Sequence, residues 1–139
     1  MGIQLFKASF DVEACLGQVR ECLEKGWTGM GYKTVEFEEA WKKYTGHKCA
    51  FFINSNTSGL YMAVDTLKGQ YNWADDEVIS TPLTFISTNH AIHKSNLKAV
   101  FADVDDTLCL DPKSVEEHIS DKTRAVIFVG FGGNTDHFK

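Results

Sequence analysis

The stretches Glu77-Val78-Ile79-Ser80, Lys98-Ala99-Val100-Phe101-Ala102 and Ala125-Val126-Ile127-Phe128-Val129 decide the fold. Each is a short apolar run bounded by turn residues, and each reads as a strand. A fourth run, Cys49-Ala50-Phe51-Phe52-Ile53, reads the same way. Helical patterns separate the runs, at Thr57 to Lys68, Thr84 to His93 and Pro112 to Ile119. The last has Asp111 placed as its cap and Pro112 at its first helical position. Strands alternating with helices imply right-handed crossovers and a mostly parallel sheet with helices on both faces, so the fold class is three-layer α/β.

Two helices lead into this unit. Val12, Cys15, Leu16, Val19, Cys22 and Leu23 recur at threes and fours, which predicts a helix from Val12 to Lys25 capped by Asp11 and stopped by Gly26. The connection Gly26-Trp27-Thr28-Gly29-Met30-Gly31 follows. Thr34 is then placed to cap a second helix bearing Val35, Phe37, Trp41 and Tyr44, closed by Gly46. The expected organisation is an amino-terminal helix and connection over 1–33, then a partial α/β domain over 34–139.

The chain has 139 residues, 43% apolar and 12% aromatic, with two prolines and no repeat, which is the composition of a packed domain. Lys and Arg number 14 against 19 Asp and Glu, a net charge of -5 with no basic stripe, which argues against a nucleic-acid partner. No apolar stretch approaches the roughly 20 residues that span a bilayer. The opening Met1 to Lys7 lacks an apolar signal core, so no membrane partner and a cytoplasmic location are expected. Cys15, Cys22, Cys49 and Cys109 form no Cys-x-x-Cys pair and read as reduced core thiols. His90 and His93 stand three apart without an evident third ligand, and no metal is expected.

Ligands of such sheets bind beyond the carboxyl ends of the strands, which selects four segments. Asn54-Ser55-Asn56-Thr57-Ser58-Gly59 is rich in hydroxyls and amides at a strand-to-helix junction, where helix amides and dipole attract an anion such as phosphate. The plainer alternative is that Ser55 or Thr57 only caps the helix and that Gly59 permits close packing. Neither a Walker lysine nor G-x-G-x-x-G is present. In Thr81-Pro82-Leu83-Thr84-Phe85 the ring of Phe85 could stack on a flat heterocycle or belong to the core. Phe101-Ala102-Asp103-Val104-Asp105-Asp106-Thr107 looks like the motif of haloacid dehalogenase-type phosphatases, with Asp103 as nucleophile and Asp105 as acid/base beside Mg²⁺. Asp106 stands where that family has glycine, and little chain follows for its later carboxylates. The fourth segment is Gly130-Phe131-Gly132-Gly133-Asn134.

Read together, these segments resemble the DegT/StrS family of pyridoxal-phosphate (PLP)-dependent aminotransferases acting on nucleotide-linked keto-sugars, from about Gly26 to Phe138. The anchors include Gly26-Trp27-Thr28-Gly29-Met30-Gly31, Tyr44-Thr45-Gly46-His47-Lys48, Asn54 to Leu60, Pro82 to Asn89, Phe101 to Asp105 and Lys122 to Ile127. The resemblance implies that the turn at Asn56 and Thr57, flanked by Ser55 and Ser58, holds the cofactor phosphate and that Phe85 stacks on the pyridine ring. It further implies an amino acid donor, a keto-sugar nucleotide acceptor and a homodimer. Asn56 departs from the family's usual glycine or alanine, and the glycine-rich turn after Val129 departs from its histidine-containing turn. The family's pyridinium-binding aspartate and Schiff-base lysine have no counterpart up to Lys139, and Lys94, Lys98 and Lys122 do not match the lysine's position. The expectation is therefore an amino-terminal fragment of such an enzyme, inactive alone and assigned no catalytic residue. The alternatives are a non-catalytic binding or assembly module and, behind it, the phosphatase.

Overall fold

The structure, a computed structural model, describes residues 7–135. The opening residues read for a signal and the end of the family resemblance at Phe138 lie outside that range. The chain divides into two compact units, one ending at Phe52 and one beginning at Ile53.

The first unit is a pair of helices, α1 (Val12–Glu24) and α2 (Tyr32–Thr45). Asp11 caps α1 as expected, its carboxylate accepting the Ala14 amide at 3.0 Å. Gly26, with φ of 66°, ends the run in a conformation that favours glycine. Helix α2 starts ahead of the expected cap: Gly31 is the N-cap, and Thr34, inside the first turn, accepts the Gly31 amide at 3.4 Å. Glycine is required at 31, because a Cβ there would lie 2.1 Å from Nε1 of Trp27. That indole in turn donates to the Met30 carbonyl at 2.9 Å.

The expected strand Cys49–Ile53 does not form. A strand exists only through a ladder partner, and this segment has none among the described residues. The Phe52 amide donates instead to Glu38 Oε1 at 2.7 Å, and the Phe37 and Phe52 rings meet edge to face at 5.5 Å. The cysteines are free, but only Cys109 is buried; Cys15 and Cys49 are exposed, because α1 and α2 bury no residue at all.

With no core of its own, the helix pair is joined by charge. Glu21 accepts from Lys25 at 2.7 Å and from Lys33 at 2.8 Å, and Lys33 reaches Glu36 at 2.9 Å. The Lys25 ammonium also lies 4.3 Å from the centre of the Tyr32 ring, and the Tyr32 hydroxyl donates to Cys22 Sγ at 3.7 Å.

The second unit holds α3 (Asn56–Tyr71), β1 (Glu77–Ser80), α4 (Ser87–Lys94), β2 (Lys98–Phe101), α5 (Pro112–His118) and β3 (Thr123–Val126), followed by a 3₁₀ turn at Phe131–Gly133. The sheet has three strands in the order β2-β1-β3, parallel throughout, with Glu77 opposite both Lys98 and Thr123. Successive residues of β1 serve opposite faces. Val78 packs with Val64 of α3, Ala91 and Ile92 of α4, and Leu97. Ile79 packs with Ala102 and Leu110, against which Val100 and Val115 of α5 lean. The α/β fold with helices on both faces is thus present.

Four boundaries of this unit differ from the sequence reading by two residues or more: α3 runs on to Tyr71 beyond Lys68, β3 ends at Val126 short of Val129, and the starts of β3 and α4 both move. Strand β3 begins at Thr123, not Ala125, because the ladder runs on through polar residues: Thr123 pairs with Glu77, and Arg124 is anchored to Asp76 at 3.0 Å. The Ile127 amide still donates to Ile79 O at 2.8 Å beyond the strand's end. Helix α4 begins at Ser87, not Thr84, because Thr81 to Thr84 form a turn in which the Leu83 amide donates to Thr81 Oγ1 at 3.1 Å and the Thr84 amide to Pro82 O at 3.0 Å. Helix α5 begins as expected, with Asp111 accepting the Lys113 amide at 2.9 Å. No helix among the described residues is long and apolar enough to cross a membrane.

Two predictions follow from these contrasting units. Ile79 is fully buried, so Ile79→Ala should cost about 2–5 kcal/mol in urea unfolding. The same measurement on Met62→Gln, at an exposed position of α3, should move by no more than about 0.5 kcal/mol. In the first unit, the hydrogen bonds from Lys25 and then Lys33 hold the Glu21 carboxyl down at about 2, below its ordinary 4.5. A depressed folded-state value means that the network stabilises above about pH 4.5 and loses that contribution as pH falls toward 2. Glu21→Gln should therefore lose less far-UV circular dichroism across that window than the parent chain; equal losses would assign the acid sensitivity to other carboxylates.

Candidate active-site cleft

Because all strands of the second unit run parallel, their carboxyl ends open on one side of the sheet. The first turn of α3, the turn after β1 and the turn after β3 together line a cleft of about 410 Å³. Asn56 and Thr57 enter it from α3, Thr84 and Phe85 from the turn after β1, and Ser87 and Thr88 from α4. Val129 through Gly132 close it.

Asn56, Thr57 and Phe85, named from the sequence, thus meet in one cavity. Ser55 and Ser58 do not line it. Ser55 Oγ caps α3 by accepting the Ser58 amide at 3.2 Å, and the two hydroxyls lie 3.1 Å apart. The capping alternative therefore holds for Ser55 and not for Thr57. Gly59 does allow a close approach, since a Cβ there would come within 2.5 Å of Ile53 Cδ1. Phe85 is 75% exposed, so its ring is not part of the core.

The cleft is electrically neutral in its side chains: none of its lining residues is acidic or basic. Its polarity comes from hydroxyls, the Asn56 carboxamide and the amino end of α3, whose first turn carries no acidic residue. The cap engages the Ser58 amide, and the Gly59 amide donates to Ser55 O at 3.2 Å, while those of Asn56 and Thr57 take no acceptor among the described residues. Such a surface suits an oxyanion beside an aromatic plane.

The far wall is fixed by neighbours of the third segment. Asn134 Nδ2 donates to Thr107 O at 3.0 Å, and Cys109 Sγ lies 3.5 Å from Asn134 O. A Cβ at Gly130 would fall 2.9 Å from that same carbonyl, so glycine is required where the wall turns. Asp103 and Asp105 serve local turns: Asp103 Oδ1 accepts the Val104 amide at 2.9 Å, and Asp105 Oδ1 accepts the Thr107 amide and hydroxyl at 2.8 and 2.6 Å. A larger cavity of about 500 Å³ runs between α3 and β3, but Leu60, Val64, Leu67, Trp73 and Phe128 make it largely apolar, and none of its lining residues is acidic or basic.

The sequence reading selected the segments holding Thr84 and Phe131 but gave no site role to them or to Ser87 and Thr88. The one local signal for Thr84, Ser87 and Thr88 was the density of hydroxyls on either side of Phe85. Thr84 and Thr88 are joined there, their hydroxyl oxygens 3.0 Å apart.

Comparison with known proteins identifies the family and the fold. Residues 11–139 match the model of the DegT/DnrJ/EryC1/StrS aminotransferase family. The spore coat polysaccharide biosynthesis protein SpsC of Bacillus subtilis is 40% identical over 119 residues, 85% of this chain and 30% of the relative. The solved structure of AtS13 from Actinomadura melliaura is 38% identical with a TM-score of 0.84, covering 93% of this chain and 34% of that one. That of Helicobacter pylori PseC, an aminotransferase involved in the biosynthesis of pseudoaminic acid, is 27% identical with a TM-score of 0.79, covering 94% and 34%. The chain therefore spans about a third of the length of the relatives it matches. Its α/β unit corresponds to the amino-terminal part of the fold of PLP-dependent aminotransferases, and the chain belongs to the DegT/DnrJ/EryC1/StrS aminotransferase family.

Proposed function

We propose that this chain is the amino-terminal part of the large domain of a PLP-dependent sugar aminotransferase and that its cleft is the phosphate-and-ring half of the cofactor site. The reading rests above all on the convergence of Asn56, Thr57 and Phe85 on one cavity with neutral walls. The residues present fit the group. The first-turn amides of α3, the Thr57 hydroxyl and the Asn56 carboxamide hold the phosphate, where the helix dipole contributes about 0.3–1 kcal/mol. Ser55 and Ser58 shape that turn from behind through the cap. The exposed ring of Phe85 covers one face of the pyridine and keeps water from it. When bound, PLP supplies the electron sink for moving an amino group from an amino acid to a keto-sugar nucleotide.

The remaining steps need groups outside this set. No lysine among the described residues lines the cleft, so the chain alone is expected to hold the cofactor without transaminating. The same reading includes a cytoplasmic homodimer. Exposed Val12, Leu16, Val19 and Leu23 on α1 favour association, since a stripe of this kind gains by leaving water.

Titration with PLP, followed by quenching of Trp fluorescence, tests the site. The parent chain should give a saturable response. Thr57→Val should weaken it by roughly tenfold, the value of one hydrogen bond to a charged group. Phe85→Ala should weaken it by about two- to tenfold, through loss of the stacking surface. A response that never saturates in the parent chain, or that is indifferent to both substitutions, would remove the cofactor reading and leave a scaffold without a pocket.

A further inference from the structure

We propose that Asn89 is a positioning residue: its carboxamide ties the Thr81 carbonyl to α4 and so fixes the turn that presents Phe85 to the cleft. The role given to the Phe85 ring rests on the cofactor reading above; the tie itself does not.

The ring of Phe85 is 75% exposed and takes no aromatic partner among the described residues, so packing does not hold it and the backbone must. That backbone is joined to α4 at Phe85 itself, whose carbonyl accepts the Thr88 amide at 3.1 Å, and is weakly braced ahead of it. Pro82 has no amide to donate, and between Thr81 and α4 the turn's own bonds are Leu83 N to Thr81 Oγ1 and Thr84 N to Pro82 O. Two side chains of α4 reach back to hold it. Thr88 meets Thr84 hydroxyl to hydroxyl at 3.0 Å. Asn89 Nδ2 donates to Thr81 O at 3.1 Å, where the turn leaves β1 and Thr81 is only 1% exposed. Phe85 is thus clamped between a tie before it and a tie beside it, both anchored on one helix.

The orientation of the carboxamide follows from the same chemistry. Asn89 Oδ1 is buried without a hydrogen-bond partner, so the donor side alone sets the group, and a flipped amide would set oxygen against the Thr81 carbonyl oxygen. Asn89 also lies outside the cleft lining, so its effect on a ligand must pass through the turn.

Asn89→Asp at a pH where the carboxylate is ionised keeps the shape and removes the donor; Asn89→Ala removes both. In the ligand-free chain, hydrogen exchange at the Leu83 and Thr88 amides should rise by about tenfold in each variant while Ile79 stays protected. Unchanged exchange at those two amides, or equal loss at Ile79, would overturn the tie. With PLP and inorganic phosphate as probes, both variants should weaken PLP by about two- to tenfold, no more than Phe85→Ala does, and leave phosphate unchanged, because only the ring contact depends on the turn. In a Phe85→Ala background the PLP effect of Asn89→Ala should vanish. Equal weakening of both probes, or a PLP effect that persists without Phe85, would overturn the positioning role. If the parent chain binds neither probe, the cofactor reading falls and the exchange measurement alone decides whether Asn89 fixes the turn.

Discussion

Everything in the α/β unit depends on β1 being buried on both faces and paired on both edges. Val78, Ile79 and Ser80 are at most 1% exposed, with β2 on one side and β3 on the other. A strand in that position must be apolar toward both faces, and it obliges its neighbours to return in parallel through helices. Helices α3 and α4 then cover the Val78 face and α5 the Ile79 face. The parallel arrangement also sorts the chemistry. Ionic groups collect at the amino ends of the strands, where Glu77 meets Lys98 at 2.7 Å and Ser120 at 2.8 Å, and Asp76 meets Arg124 at 3.0 Å. The cleft at the carboxyl ends is lined by neutral hydroxyls, the Asn56 carboxamide and the rings of Phe85 and Phe131, while Asp103, Asp105 and Asp106 after β2 stay outside its lining. An anion arriving there meets helix amides with no carboxylate among the lining residues to repel it.

The helix pair ahead of that unit follows another logic. Its helices bury nothing, and its internal order comes from Glu21 held between two lysines and from the Trp27 indole folded over the turn at Gly31. Exposed ion pairs contribute little each, and water and salt screen them. Order of that kind is more sensitive to pH and ionic strength than the apolar core around Ile79.

Much of this was legible in the sequence wherever the cause was local. Asp11, Ser55 and Asp111 bond amides two or three residues ahead, and a cap of that reach can be read from adjacent letters. The apolar runs at β1 and β2 were equally plain, and the rule that parallel sheets bind ligands at their carboxyl ends selected the segments within which the family resemblance pointed to Asn56, Thr57 and Phe85. What failed was non-local. Cys49–Ile53 has the composition of a strand but no ladder partner among the described residues, and partnership cannot be read from composition. Strand β3 begins with Thr123 and Arg124, whose polar side chains hide a backbone already paired with Glu77. The helix expected from Thr84 starts at Ser87 because the Thr84 backbone is still turning, its amide bonded to the Pro82 carbonyl.

The ties that shape the cleft are side-chain and backbone bonds confined to its own rim. Ser55 and Ser58 fix the α3 turn, Thr88 and Asn89 fix the turn after β1, and Asn134 joins the wall at Gly130 to the loop at Thr107. None of them passes through the apolar cavity between α3 and β3, which is lined by different side chains except at Gly130. Hydrogen bonds of this sort hold their geometry without dense packing around them, whereas an apolar contact has no preferred direction. The neutral half-site can therefore be preorganised by its rim while the apolar cavity beside it still has room to take up other side chains. In such an arrangement the turn that carries Phe85 is held at its start by the Asn89 carboxamide on the Thr81 carbonyl and at its end by the Thr88 amide on the Phe85 carbonyl, each at 3.1 Å, and not by the hydrophobic core.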